Sequence, residues 1–161
     1  MSPYTSHALS DEFVPGLTFQ SDAQELWVLL VESFAGWEDR MNAAAAAADL
    51  SPVSAWALVQ LDPDHAISQK ELAARLHCNP STVVDPTDRL EEKGLVVRSP
   101  RPTDRRINIL TITPKGREVR ETLIRRLFDP PEAFRSLPSE DQARFRDAML
   151  AAVGRGKAVP A

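Results

Sequence analysis

The chain has 161 residues, of which 43% are hydrophobic and 26% are charged, a composition typical of one globular domain with short extensions. Its longest apolar runs are six residues, against the roughly 20 that span a bilayer, and its start lacks the pattern of a signal peptide. Its single cysteine, Cys78, excludes an intrachain disulfide, and its net charge of −4, taken alone, argues against a nucleic-acid partner. We therefore expect a soluble cytoplasmic protein.

The charge is unevenly distributed along the chain. Residues 70–126 carry thirteen basic and eight acidic side chains, a local balance of +5, whereas the remainder carries six basic and fifteen acidic ones, a balance of −9. Such a division favours one face that meets a polyanion, although a solvated charged surface is the alternative.

Helical signals begin after an arm, residues 1–20, that shows no periodicity. Apolar residues then recur at three- and four-residue steps, and with Ser21 as N-cap they predict one helix from about residue 22 to about residue 47. Ser51 followed by Pro52 predicts the start of a second helix, because a proline at the first helical position loses no hydrogen bond.

A helix-turn-helix is predicted next. Ser68 and Glu71 form a capping-box sequence that opens a short helix, and Asn79-Pro80 repeats the start signal for a helix that runs to about Lys93. Gly94 is suited to the position after that helix. Two short helices joined by about three residues make the second one the candidate recognition helix.

The pattern then changes to that of strands. Residues 95–98 and 107–112 are β-branched and apolar, and the Pro- and Arg-rich residues 99–106 between them predict the charged tip of a β-hairpin. Thr113-Pro114 opens another helix, which residues 129–131 interrupt. A capping-box sequence from Ser139 to Gln142 predicts the start of the last helix.

Residues 51–120 resemble the MarR-type winged-helix transcription regulators. The resemblance rests on the order and spacing of these segments: residues 68–76 (SQKELAARL), 79–83 (NPSTV), 88–96 (DRLEEKGLV), 104–106 (DRR) and 110–116 (LTITPKG). It implies a mainly α fold with a small β-hairpin wing, that is, a winged helix-turn-helix with dimerisation helices at both ends. The implied parts are an arm (1–20), a dimerisation helix (21–50), the DNA-binding domain (51–113), C-terminal dimerisation helices (114–153) and a tail (154–161).

The resemblance also implies partners. They are a second copy of the chain, double-stranded DNA with a palindromic operator, and a small aromatic or anionic effector or an oxidant that controls DNA binding. The expected function is that of a transcriptional repressor rather than an enzyme, without a cofactor or a membrane partner.

The recognition helix supplies most of the candidate DNA contacts. Val83, Pro86, Thr87 and Leu90 are predicted to face the core, while the outer side carries Ser81, Thr82, Val84, Asp85 and Arg89. Hydroxyl groups can bind a phosphate or a base edge, and the valine can meet a thymine methyl. For Arg89 two roles stay open, a phosphate contact or an i, i+4 ion pair with Asp85.

The wing supplies two further candidates, Arg105 and Arg106. Many members of the family have Asp-x-Arg here, with an arginine that enters the minor groove, whose negative potential attracts it. Asp104 can stiffen the wing by pairing with Arg106, so that one of the two arginines is structural.

Two residues depart from the family pattern. Asp85 replaces a basic or amide residue, and its charge is repelled by phosphates, although it can accept a hydrogen bond from cytosine. Pro86 replaces an aliphatic residue, and inside a regular helix it would clash with the Thr82 carbonyl at a cost of about 3 kcal/mol. We therefore predict a kink or a widened turn at residues 83–86.

The remaining candidates carry weaker signals. Trp27, Trp37 and Trp56 are candidates for an effector pocket, with core or dimer interface as the alternative. Cys78 is expected to be a packed turn residue rather than an oxidant sensor. His7, His65 and His77 lack the spacing of metal ligands, and no nucleophile or phosphate-loop motif is found. The rival functions are a winged-helix protein-interaction module with weak or no DNA binding, and a cysteine-based oxidant sensor.

Overall fold

The N-terminal helical region is broken in two. The computed structural model describes residues 14–155, in which α1 spans Asp22–Ser33 and α2 spans Trp37–Ala47. The predicted cap is confirmed, because the Ser21 hydroxyl accepts the Gln24 N–H at 3.3 Å. The single helix to residue 47 is wrong. Gly36, a poor helix former, is the N-cap of α2, and the intervening turn reorients the chain.

The next elements begin where the sequence predicts. Helix α3 spans Pro52–Gln60, and the Ser51 hydroxyl accepts the Ser54 N–H at 3.1 Å. A two-residue strand, β1 (Ile67–Ser68), precedes α4 (Gln69–Arg75), whose capping box is fully formed. The predicted recognition helix consists of a 3-10 turn, Pro80–Val83, and α5, Val84–Glu92. Gly94, at φ +68°, ends this helix as expected.

The wing is a three-stranded antiparallel sheet in the order β1-β3-β2. Strand β2 (Val96–Arg101) pairs with β3 (Asp104–Ile112), and Ile67 of β1 pairs with Leu110 on the other side of β3. The predicted turn over residues 99–106 is wrong, because pairing continues to Arg101 opposite Asp104 through an irregularity at Pro100. Proline fits there because a strand irregularity tolerates the missing N–H. The two-residue β1 is too short to show a periodicity.

The chain divides into two compact units, Met1–Leu127 and Phe128–Ala161. Helix α6 (Pro114–Phe128) ends just past the boundary, and the second unit holds α7 (Glu132–Arg135) and α8 (Ser139–Ala152). The capping box predicted at Ser139 is wrong. Pro138 is the N-cap, so Ser139 is already helical, and the Gln142 side chain donates instead to the Leu137 carbonyl at 2.8 Å. The predicted arm and tail lie mostly outside the described residues, as does His7.

The core of the first unit joins α2 and α3 to the winged helix. Leu58, Leu72, Leu90, Leu110 and Leu123 are each at most 1% exposed. Leu123 and Leu127 of α6 belong to this core, so that this helix packs with the winged helix over most of its length. Among the described residues, no helix has the length and apolarity needed to cross a membrane.

The start of α6 is packed tightly beneath the end of the recognition helix. A Cβ at Gly116 would overlap the Leu95 carbonyl oxygen and lie 2.9 Å from Cγ1 of Ile112. Both neighbours belong to the wing's base and cannot swing away as an exposed side chain can. Glycine is therefore required here by close approach rather than by its backbone angles.

We predict that Gly116→Ala lowers the free energy of unfolding by about 3 kcal/mol, because the added methyl must displace backbone. The measurement is urea unfolding followed by circular dichroism. Gly36→Ala is the control, since a Cβ there meets nothing within 4 Å, and its cost should stay near the roughly 1 kcal/mol of an unfavourable N-cap residue. Equal midpoints for the Gly116 variant and the wild type would contradict the assigned packing.

Candidate nucleic-acid interface

The recognition helix has one buried and one exposed side, as the sequence predicts. Val83, Pro86, Thr87 and Leu90 are buried, whereas Ser81, Thr82, Val84, Asp85 and Arg89 are exposed. The exposed residues lie on the 3-10 turn and the first turns of α5, the part of a recognition helix that meets base edges. Their roles in DNA contact remain predictions.

Pro86 is accommodated by a change of helix type. The predicted widened turn at residues 83–86 is wrong, because the helix is instead tighter just before this point: a 3-10 turn ends at Val83 and the α-helix begins at Val84. Pro86 is the third residue of the α-helix, where a backbone N–H has no partner within the helix. The expected clash and its cost of about 3 kcal/mol apply to a helix interior, so they do not arise here.

Arg89 and Asp85 do not pair with each other. Among residues 14–155, neither has an oppositely charged side chain within 4.0 Å, so the proposed i, i+4 ion pair is absent. The Arg89 guanidinium is thus available to a phosphate. The Asp85 carboxylate is likewise available, and it places a negative charge on the exposed side of the helix.

The tip of the wing is a two-residue turn, Pro102-Thr103, with exposed Arg105 and Arg106 at the start of β3. The predicted side-chain pair between Asp104 and Arg106 is wrong. The Asp104 carboxylate accepts the backbone N–H of Arg106 at 3.1 Å instead, because in this tight turn the main chain is the nearer donor. Within the described part of the chain, no ion pair holds the Arg105 or Arg106 side chain, so both can reach a ligand.

Two arginines that the sequence reading passed over attach the wing to the helix-turn-helix. Arg101 donates to the Glu71 carboxylate of α4 at 3.0 Å, near the tip. Arg98, in the middle of β2, donates to Asp88 of the recognition helix at 2.6 Å. In the sequence, each is an arginine in a predicted strand that follows a helix rich in acidic residues. That pattern identifies an ion pair only when the structure shows that the strand and the helix lie close together.

The tryptophans do not form one cluster. Trp37 and Trp56 meet edge to face with ring centroids 6.2 Å apart, and both are half-buried against the core. Trp27 of α1 is 66% exposed. A separate apolar groove of about 270 Å³ lies between α2 and α6, and its lining includes Ala44, Ala48, Val119, Leu123, Glu118 and Arg126. It combines an apolar floor with one cation, Arg126, and one anion, Glu118.

Cys78 lies in the turn of the helix-turn-helix and is half-buried against the core. Its backbone N–H donates to the Ala73 carbonyl at 3.0 Å, and the preceding His77 has φ +52°. The two residues therefore end α4 in a left-handed turn. Within residues 14–155, no group of three or more His, Cys, Asp or Glu side chains is arranged to hold a metal ion.

Glu71 connects the start of α4 to the wing. Its carboxylate accepts the Ser68 N–H at 2.6 Å as well as the Arg101 guanidinium. Hydrogen bonds from Ser68, with a smaller contribution from Arg101, hold the pKa of Glu71 below its ordinary value. The ionised form is therefore the one that the fold favours.

We predict that Glu71→Gln lowers stability at pH 7 by about 0.5–1 kcal/mol, since the carboxylate is half-exposed and screened. Because the folded-state pKa is depressed, this contribution is present above the unfolded-state pKa. It is lost as the pH falls through the folded-state pKa. Urea unfolding of both proteins should show a stability difference that shrinks below about pH 4.3, the ordinary value for glutamate. A difference that is independent of pH would contradict the assignment.

Comparison with known proteins agrees with this geometry. A sequence profile described as the MarR family matches residues 50–107. This chain is 46% identical, over 50 residues or 31% of its length, to a Thauera aromatica protein described as a putative transcriptional regulatory protein for the hcr operon. Over 67 residues, 42% of the chain, it is 33% identical to the HTH-type transcriptional repressor MdtR of Bacillus subtilis (strain 168). These matches span only 30% and 43% of the two relatives.

A solved structure is similar over a longer stretch. The crystal structure of CouR from Rhodococcus jostii RHA1 bound to p-coumaroyl-CoA superposes with a TM-score of 0.62 and 27% identity, covering 83% of this chain and 95% of that one. The mainly helical winged helix-turn-helix architecture is thereby confirmed. The similarity extends beyond the residues that the profile matches.

Proposed function

We propose that the chain is a MarR-type winged-helix transcriptional regulator, a homodimeric repressor of a palindromic operator that a small ligand releases. The observation that carries the proposal is the row of exposed hydroxyl and arginine side chains on the recognition helix and wing. The family is one of regulators rather than enzymes, and its site of action is the cytoplasm, where the DNA is.

The proposal gives different tasks to the two parts of the site. Ser81, Thr82, Val84 and Asp85 stand where a recognition helix meets base edges in the major groove, and Arg89 stands where it meets a phosphate. Arg105 and Arg106 on the wing are suited to the adjacent minor groove or its phosphates. In a dimer, two such helices about 34 Å apart enter successive major grooves.

Exposed apolar residues support the homodimer. Leu26 and Trp27 on α1, and Phe34 at its C-cap, are between 50% and 66% exposed. In the second unit, Val153 is 58% exposed. Concentrations of exposed apolar surface of this kind mark protein–protein interfaces, and a second copy of the chain is the partner that a palindromic operator calls for.

A ligand would act through the groove between α2 and α6. Its apolar floor suits an aromatic group, and the solved structure of CouR holds p-coumaroyl-CoA. An anionic group would have to reach Arg126 and avoid Glu118, which lines the same groove. A ligand that binds better to a dimer with another half-site spacing would weaken operator binding by its differential affinity. Titration of aromatic acids and their thioesters against the operator complex tests this part, and ligands that bind the protein without releasing DNA contradict it.

One observation favours a second candidate, a winged-helix protein-interaction module with weak or no DNA binding. The unpaired, exposed carboxylate of Asp85 would be repelled by the phosphates that flank a groove. The alternative role for the same group is acceptance of a hydrogen bond from cytosine N4. Salt dependence separates the two candidates, because contacts to several phosphates make the affinity for DNA fall steeply as salt rises.

The DNA probe is a genomic fragment that the immobilised wild-type protein retains. We predict that Arg105→Ala combined with Arg106→Ala weakens binding to this fragment about 10- to 100-fold and makes the fall of log K with log [salt] less steep. Fluorescence anisotropy with labelled DNA at several salt concentrations provides the measurement. Arg144→Ala with Arg146→Ala on α8 is the control, because it removes the same charge elsewhere. Wild-type affinity in the wing variant would overturn the wing assignment, and absence of salt-dependent DNA binding by the wild type would favour the interaction module.

We also predict that Trp27→Asp combined with Phe34→Asp converts the dimer to monomer at micromolar concentration, because buried charges would lie in the interface. Sedimentation equilibrium gives the molecular mass directly. Val97→Asp serves as control, since Val97 is a comparably exposed apolar residue (52%) on the wing. An unchanged dimer in the α1 variant would exclude this helix from the interface.

A further inference from the structure

The recognition helix and the wing share a partly buried polar cluster, consisting of Gln69, Thr87, Asp88, Glu91 and Arg98. Thr87 is completely buried on the inner side of the recognition helix. Its hydroxyl donates to the Val83 carbonyl at 2.8 Å and accepts from the Gln69 amide at 2.8 Å and from the Arg98 guanidinium at 3.0 Å. One oxygen thus joins α4, the recognition helix and strand β2.

Arg98 extends this connection along the recognition helix. Its Nη2 lies 2.6 Å from the Asp88 carboxylate, and its backbone N–H donates to the Glu91 carboxylate at 3.0 Å. The side chain is only 23% exposed. Its Nε is buried without a hydrogen bond among the described residues, 3.8 Å from the Glu91 carboxylate.

This arrangement is unusual for a residue that serves stability alone. A buried, unpaired N–H is unfavourable, so an arginine that keeps one is held in place by its other contacts. Those contacts are to three residues of the recognition helix: the guanidinium bonds the neighbouring Thr87 and Asp88, and the backbone N–H bonds Glu91, one turn further along. Because the guanidinium is planar and its donors are fixed, it specifies an angle as well as a distance.

We infer that Arg98 is a positioning residue that fixes the wing relative to the recognition helix, so that Arg105 and Arg106 reach the DNA only while Arg98 holds its contacts. Arg98 itself is turned inward to Thr87 and Asp88 and does not contact DNA. The inference rests on the proposed DNA-binding function. According to this inference, part of the affinity for DNA that Arg105 and Arg106 provide depends on the inward-facing side chain of Arg98.

The test is a double-mutant cycle that uses Arg98→Lys, which keeps the positive charge and loses the planar fork. Affinity for the same retained genomic fragment is measured by fluorescence anisotropy for four proteins. They are the wild type, Arg98→Lys, the Arg105→Ala/Arg106→Ala variant, and the variant with all three changes. We expect Arg98→Lys to weaken binding about tenfold and to reduce the further loss caused by the wing changes to about twofold. Arg117→Lys, which changes an ion-paired arginine of α6, should bind like the wild type.

Independent effects, in which the wing changes cost the same factor in both backgrounds, overturn the inference. Thermal unfolding and the NMR order parameters of residues 102–106 accompany the cycle, because a positioning role predicts a more mobile wing in a folded protein. If Arg98→Lys does not fold, Thr87→Val takes its place in the same cycle. Failure of the wild type to bind DNA in a salt-dependent manner refutes the proposed function instead, so the two failures are distinguishable.

Discussion

A hydroxyl group sealed from solvent must find its hydrogen bonds inside the protein, and in this chain that requirement falls on Thr87. A valine of the same shape would fill the space, but it would take this acceptor from the Gln69 amide and would leave the Arg98 guanidinium bonded to Asp88 alone. Because the hydroxyl accepts from two different elements, the recognition helix cannot rotate without breaking contacts to α4 and to the wing. The exposed side of the helix is therefore fixed by the chemistry of its buried side.

The fold could be predicted from the sequence wherever a local rule decides it. The capping box at Ser68 and Glu71, the proline at the first position of α3 and the glycine after the recognition helix each act within a few residues. The inner and outer sides of the recognition helix also follow from the sequence, because helical periodicity alone assigns them.

The structure differs from the sequence-based predictions where contacts between distant residues, or competing local contacts, determine the conformation. The two-residue strand β1 exists only because β3 offers it an edge, and the wing strands lengthen because pairing passes through Pro100. Ser139 matches a cap sequence, yet the backbone of Pro138 already takes that position. The roles of Arg98 and Arg101 depend on partners that lie on other elements. Asp104 accepts a hydrogen bond from the backbone of Arg106 instead of pairing with its side chain.

The end of the recognition helix is bonded to the start of α6 at several points. The Lys115 ammonium donates to the Lys93 carbonyl at 2.8 Å, the Thr113 hydroxyl donates to the Gly94 carbonyl at 2.8 Å, and Gly116 lies against Leu95. Because these contacts are direct, α6 cannot shift far relative to the end of the recognition helix without breaking hydrogen bonds or pressing Gly116 into the Leu95 backbone.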